Sequence, residues 1–496
     1  MDKNVELGAA SIVEVVAEYA KRTPDILCAV DEQGSCTYEK MWEKACRLAC
    51  FFEQFGVKKR DRIVVECTQD IRFLICKLAC ELAGAIFVPT EQGASQERVK
   101  MIVEDTDAKL FVYRTDYDVE VDKLTFDKVF SEAEKLNGEK MAGRFPQSGD
   151  TAEILYTTGT TGKSKGIEIT NANNIALAEN VKYGTEMKKG NVELIPLPLS
   201  HSHGLRCCYA NLLNGSTIVI VDGVTKIKCI FQMIEKYQVT ALDLSPSAVL
   251  VLEKLSKGRF REIAQQIDYI QVGTAILGEE AKEILIENFP DARLYNFYGS
   301  TESGRTCVLN FNEERKGAGC IGCPTKNAVF IVTDEARVQI VSSREHMGLL
   351  ASAGAMNMRG YWKQPELTEE MMQNGYVYTN DVGYIDEDGF IFVLGRKDDI
   401  INYKGIKIAP EEIEEKVLKY PDIIDCACVP KDDRMSGQIP KLFVVVRDEV
   451  QFSKKELILF LKQYIDENKM PREIELIREI PRTYNGKIQR AKLLDM

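Results

Sequence analysis

The run Thr157-Thr158-Gly159-Thr160-Thr161-Gly162-Lys163-Ser164-Lys165-Gly166 constrains this chain more than any other. The apolar stretch Ile154-Leu155-Tyr156 before it reads as a strand, and so does Ile167-Glu168-Ile169-Thr170 after it. Four threonines, three glycines and two lysines fall within ten residues. Glycines let backbone N–H groups approach an anion closely, threonines add hydrogen-bond donors and lysines add charge. A loop of this kind between two strands is built to wrap polyphosphate. It is not a Walker A loop, which needs glycine where Thr157 stands and a helix after the lysine.

The rest of the first third alternates helix and strand. Thr37 is expected to cap a helix that buries Met41, Ala45, Leu48, Ala49 and Phe52, with Gly56 as its stop. A strand at Arg62–Glu66, a helix at Asp70–Ala83 and a strand at Ala85–Pro89 form a β-α-β unit, which implies a parallel sheet. A second α/β run follows: helix Lys226–Tyr237, strand Val239–Leu244, strand Tyr269–Val272, helix Ala281–Asn288 and strand Arg293–Phe297. From about Gly319 the pattern becomes strand-rich, at Ala328–Thr333, Val338–Val341, Tyr376–Tyr378, Gly383–Ile385 and Phe390–Leu394. The expected fold is therefore α/β. Residues 1–394 form a large domain of two α/β subdomains and a small distorted barrel, and residues 395–496 a small α+β domain.

The 496 residues carry a net charge of −12, which argues against nucleic acid or an anionic membrane as a general partner. No apolar run is long enough to span a bilayer, and the start Met1-Asp2-Lys3-Asn4-Val5-Glu6 has no leader pattern. Fifteen cysteines scattered among apolar neighbours fit reduced thiols and a cytoplasmic location. Cys320 and Cys323 form a C-x-x-C pair without a second pair, so structural thiols are expected there.

The threonine/glycine loop resembles the signature loop of the adenylate-forming superfamily, the acyl- and aryl-CoA synthetases and their relatives, with serine at position 164 where that family usually has proline. Six further segments resemble the family in its order and rough spacing. In Pro198-Leu199-Ser200-His201-Ser202-His203, the resemblance places His201 beside the carboxylate substrate. It makes Gly273, Thr274 and Ala275 a turn that lines the acyl pocket and flanks adenine. In Asn296-Phe297-Tyr298-Gly299-Ser300-Thr301-Glu302 it implies that Tyr298 stacks on adenine, Thr301 donates to the α-phosphate and Glu302 binds Mg²⁺. Asn296, Phe297 and Gly299 are counted with the nucleotide site. Asp381 is placed to accept from both ribose hydroxyls, although Asn380 stands where glycine is common.

Within Gly395-Arg396-Lys397-Asp398, the resemblance implies ribose and phosphate contact by Arg396 and an interdomain hinge at Asp398. It makes Tyr403-Lys404-Gly405 a loop of the pantetheine tunnel, and Lys487 the adenylation lysine. Thr157, Thr158, Gly159, Thr160, Thr161 and Lys165 hold phosphate in this reading.

The implied activity is an acid–thiol ligase that uses ATP, Mg²⁺ and coenzyme A on a small carboxylic acid. No aspartate follows His201 closely, which disfavours an amino acid; fatty, aryl and dicarboxylic acids stay open. Arg206 and Arg305 lie near pocket segments and are candidates for a second carboxylate or for plain salt bridges. Little chain follows Lys487, so free coenzyme A is the expected acceptor and a separate carrier protein the alternative.

Overall fold

In a computed structural model the described residues are 8–157, 164–314, 316–317, 319–404, 406–447, 452–482, 488–494 and 496. The local signals produce the expected elements. Thr37 caps helix Tyr38–Gln54 by accepting from the Lys40 N–H, and Met41, Ala45, Leu48, Ala49 and Phe52 are buried along one stripe. Asp70 caps helix Ile71–Leu82 in the same way. Arg62–Glu66 and Ile86–Thr90 pair in parallel, and their apolar runs are buried on both faces, as a covered parallel sheet requires.

Two large sheets build the first four-fifths of the chain. In one, the order is Gly360–Tyr361, Lys165–Thr170, Thr151–Thr157, Ile86–Thr90, Arg62–Glu66, Leu110–Tyr113 and Lys123–Thr125. Thr151–Thr157 and Lys165–Thr170 pair antiparallel, with Thr157 opposite Lys165, so the two ends of the threonine/glycine loop meet.

The other sheet has a parallel core in the order Arg293–Ser300, Tyr269–Val272, Ala241–Leu244, Val192–Ile195, Thr217–Ile220 and Leu27–Val30. From Val192–Ile195 the chain builds outward in opposite directions, first to Thr217–Ile220 and then to Ala241–Leu244 and beyond. That reversal is a topological switch point, and it opens a crevice at the carboxyl ends of the strands.

On the far side of Arg293–Ser300 the sheet continues antiparallel through Gly304–Asn310, Cys320–Pro324, Ile391–Arg396, Tyr376–Ile385, Gly348–Ala353 and Val329–Thr333. The strands expected at Tyr376–Tyr378 and Gly383–Ile385 are one strand with a register shift at Val382/Gly383. Asn380 within it has φ +61°, a left-handed conformation that asparagine tolerates better than most residues. No strand forms at Val338–Val341: Gln339 makes a single bridge to Thr333, and Val341 is 96% exposed. Val338 and Val341 are exposed and Ile340 alone packs against the core, too little apolar contact to hold a strand.

A third, smaller sheet joins Ile406–Ile408, Ile401–Tyr403, Gly437–Val446 and Ile423–Asp433, with Glu473–Leu476 beside Gly437–Val446. Ile400 is buried with Leu349 and Val382 of the large body, whereas Ile401 belongs to the core of the small sheet with Ile408, Ile413 and Leu442. Two adjacent isoleucines thus anchor in different cores. No helix among the described residues is long and apolar enough to cross a membrane. All fifteen cysteines are free, and burial pushes Cys320 and Cys323 above their usual range, which suits inert thiols.

Candidate active site

The threonine/glycine loop begins and ends on fixed ground. Ser164 Oγ donates to the Thr157 carbonyl at 2.6 Å, across the base of the loop. Arg98 Nη1 donates to Ser164 Oγ at 3.0 Å and Nη2 to the Tyr156 carbonyl at 3.3 Å, while Nε is held by Glu91 at 2.8 Å. A serine in place of proline therefore exchanges ring stiffness for a clamp of hydrogen bonds. Thr158, Gly159, Thr160 and Thr161 lie outside the described residues.

Lys165 and Glu302 come together on Tyr361. The Lys165 ammonium stands 5.6 Å from the centre of the Tyr361 ring, and Tyr361 Oη donates to Glu302 Oε1 at 3.0 Å. Tyr361 is fixed because Gly360–Tyr361 pairs with Glu168 and Ile167. Glu302 is half-buried and keeps its second oxygen for other donors or a hard cation; a single carboxylate suits Mg²⁺, which retains most of its waters. The turn that carries Thr301 and Glu302 depends on Gly299: a Cβ there would lie 1.7 Å from the Gly304 carbonyl oxygen.

Tyr298 and Asp381 meet from neighbouring parts of the sheet. Tyr298 Oη and Thr379 Oγ1 both donate to Asp381 Oδ2, the latter at 2.9 Å. Asp381 lies opposite Arg396 in register, and the Lys397 N–H donates to the Asn380 carbonyl at 2.7 Å. Asn296 is buried on the same strand. Phe297 points the other way. Its ring is buried among Val181, Met187 and Tyr295, with the Arg305 guanidinium 4.7 Å from its centre. The structure does not bring its side chain to Tyr298, because successive strand residues face opposite sides.

At the carboxyl ends of the parallel strands, Gly273 follows Val272, and His201 occupies the N-cap position of helix Ser202–Asn214 without a side-chain capping bond. The His203 imidazole fills the space beside Gly273, where a Cβ would lie 2.3 Å from its Cε1. Thr274 has φ +76°, a strained conformation for a β-branched residue, and Thr274 and Ala275 are exposed. Lys404 also adopts a left-handed backbone (φ +50°) and donates its N–H to the Ser436 carbonyl at 2.8 Å. Gly405 and Lys487 lie outside the described residues.

Beneath the crevice runs a buried polar network whose partners come from distant parts of the chain. His203 Nε2 is 2.7 Å from Asp243 Oδ1. Burial, then the Arg305 charge, press the imidazole below its usual value. Arg305 donates to Gln271 Oε1 at 2.7 Å and to Cys207 Sγ at 2.8 Å. His203, Cys207 and Asp243 place ligand atoms within 4.8 Å of one another, but the guanidinium already supplies positive charge there. Arg206 is 1% exposed and pairs with Glu153 and Asn174. Both arginines have interior partners, though Arg206 Nε and Nη2 and Arg305 Nε are buried without a hydrogen bond among the described residues.

Glu193 completes the network, accepting from Tyr269 Oη at 2.9 Å and Gln271 Nε2 at 2.5 Å. Burial, then repulsion from Asp243, pushes its carboxyl from 4.5 to about 7. The folded chain thus holds a proton that the unfolded chain releases near pH 4.5. This group's stabilisation is complete below that pH and is lost as pH rises to about 7. Glu193→Gln is expected to flatten the fall in urea midpoint between pH 5 and pH 7. An unchanged slope would show that Glu193 is ionised in the folded chain.

Residues 16–362 match the AMP-binding enzyme family, and residues 412–487 match the AMP-binding enzyme C-terminal domain. A probable CoA ligase of Humulus lupulus is 29% identical over 488 residues, covering 93% of this chain and 88% of that protein. A 2-succinylbenzoate–CoA ligase of Bacillus cereus (strain AH820) is 27% identical over 478 residues, covering 95% of each. The o-succinylbenzoate CoA synthetase of Bacillus subtilis, solved with its acyl-adenylate intermediate, shares the fold: TM-score 0.87 at 23% identity, over 97% of this chain and 98% of that one. With its loop, crevice and two-part architecture in the same order along the sequence, this chain belongs to the AMP-binding enzyme family.

Proposed function

We propose that this chain is an AMP-forming acid–thiol ligase: it activates a carboxylic acid with ATP and passes the acyl group to coenzyme A. A carboxylate is a poor acyl donor, because its charge repels nucleophiles and oxide leaves badly. In the first step a carboxylate oxygen bonds to the α-phosphorus of ATP and the bond to pyrophosphate breaks. In the second the thiol sulfur bonds to the acyl carbon, its proton is lost, and AMP leaves. Such transfers depend on positioning and charge stabilisation.

The observation that carries the reading is the meeting of Lys165 and Glu302 on Tyr361, where a phosphate-loop cation and a hard carboxylate share one support. Thr157, Lys165 and the loop between them hold the phosphates, with Thr301 beside the α-phosphate. Mg²⁺ held by Glu302 would neutralise phosphate charge. Tyr298 lies against adenine, with Gly273, Thr274 and Ala275 at its edge. Asp381, already an acceptor for two hydroxyls, suits a ribose diol, with Arg396 across the ladder from it. His201 stands at the mouth of the acyl pocket, and His203 and Gly273 form its wall.

Arg206 and Arg305 hold interior partners, which favours plain salt bridges and polar contacts over pairing with a second substrate carboxylate. Lys487 bridges carboxylate and α-phosphate in the first step, and the Tyr403–Gly405 loop admits the thiol in the second. The unit boundary is at 394/395 with the hinge near Asp398. The free, mostly buried thiols support a cytoplasmic location.

The test is ATP–pyrophosphate exchange over a panel of fatty, aryl and dicarboxylic acids, followed by thioester analysis with coenzyme A. Acid-dependent exchange and an acyl-CoA product are expected. ADP and orthophosphate as products, whatever the acid, would reject the reading. Exchange without acyl-CoA would point to a separate carrier protein as the acceptor.

A further inference from the structure

Arg490 stands three residues after Lys487 and is buried among carboxylates. Its Nη1 donates to Glu414 Oε1 at 2.6 Å and to the Cys428 carbonyl at 3.3 Å. Its Nη2 donates to Glu411 Oε1 at 2.7 Å and Glu414 Oε2 at 3.1 Å. Its Nε lies 3.8 Å from Asp399 Oδ2. Glu411 and Glu414 sit on helix Pro410–Val417, and Glu414 is fixed from behind by the Cys428 N–H at 2.6 Å.

Asp399 belongs to the turn that leaves the large sheet after Arg396. Glu411 also faces that turn: a Cβ on Gly395 would lie 3.5 Å from its Oε2. On the other side of residues 483–487, Arg482 pairs with Asp425 at 2.6 Å and bridges Ile488. The described residues that flank 483–487 are therefore held to the small sheet and its helix, and Arg490 also faces the turn of the proposed hinge.

We propose that Arg490 is a positioning residue: it sets the place of Lys487 relative to helix Pro410–Val417 and, through Asp399, couples that place to the hinge. This rests on the reading of Lys487 as the adenylation lysine. One guanidinium faces three carboxylates, so removing it both frees the segment and leaves like charges opposed. Lysine keeps the charge but cannot reach two carboxylates with a planar fork.

The experiment compares Arg490→Gln, Arg490→Lys and Asp399→Asn with Lys487→Ala in two assays: acid-dependent ATP–pyrophosphate exchange, and thiolysis of a synthetic acyl-adenylate by coenzyme A. A misplaced catalytic group typically costs up to about 10²-fold. Arg490→Gln is expected to lower the kcat of exchange by roughly 30-fold with KM for ATP and acid nearly unchanged, and thiolysis by no more than about threefold. Arg490→Lys should fall between Arg490→Gln and the native chain. Asp399→Asn should lower exchange about threefold to tenfold.

Should Arg490→Gln fail to fold, Arg490→Lys and Asp399→Asn decide the matter. Exchange within twofold of native in both overturns the proposal, and so does an equal loss of exchange and thiolysis in either. If Lys487→Ala loses exchange while the Arg490 variants keep it, this inference alone fails. If Lys487→Ala keeps exchange, the underlying reading of the lysine fails.

Discussion

Asp398→Pro is expected to stop thioester formation while acid-dependent pyrophosphate exchange continues near the native rate. The argument begins with Ile400 and Ile401, buried in different cores, and with Asp398, exposed in the short turn before them. The backbone bonds that close this turn run from the Asp399 and Ile400 N–H groups to the Arg396 carbonyl, both at 2.9 Å, and proline at 398 removes neither. What proline removes is freedom in φ. On the proposed reading, Lys404 and Lys487 belong to one unit and serve different half-reactions. One orientation of that unit cannot serve both, and the proposed pivot is this turn. Freezing the pivot leaves the thiol-admitting loop misplaced, at a cost of at least about 10²-fold. Single-turnover formation of acyl-CoA measures it. Equal loss of both steps would count against a pivot at this residue.

The second large effect is on stability. Arg206→Met removes the partner of Glu153, which is fully buried on the strand that leads into the phosphate loop. Burial alone would raise this carboxyl, but the charges of Arg206 and Lys77 hold it below its usual range. Without Arg206 the carboxylate keeps the Tyr209 hydroxyl at 2.6 Å and the charge of Lys77, which Glu81 already pairs. Breaking a buried pair from one side costs about 3–5 kcal/mol, a large share of a typical stability of about 5–15 kcal/mol. Urea unfolding should show a correspondingly lower midpoint. Arg206→Met combined with Glu153→Leu should recover most of it, since two well-packed apolar groups leave no charge stranded. A double variant no more stable than the single one would mean that Arg206 matters through packing instead.

Much of this was legible in the sequence, because much of it is local. Caps at Thr37 and Asp70, the apolar runs of the parallel strands and the Gly–Thr loop between two strands each depend on residues close in the chain. What pattern alone could not supply is which distant side chains meet. Tyr361 sits 59 residues from Glu302, yet it ties that carboxylate to Lys165. Phe297 and Tyr298 look equally suited to a base, and only the direction of the strand sends the first to Tyr295 and Val181 and the second to Asp381. The buried network left one trace: Glu153, Glu193 and Asp243 are acids inside otherwise apolar strands. A charge in a fully covered strand needs a partner, so each was a sign of a long-range contact, though not of which one.

Oxygen transfer from the acid to AMP tests the central claim most directly. With a substrate acid labelled with ¹⁸O in its carboxylate, one turnover to acyl-CoA should leave one labelled oxygen in the phosphate of AMP and none in pyrophosphate. Unlabelled AMP, or label in orthophosphate beside ADP, would mean that the acid never bonds to the α-phosphorus.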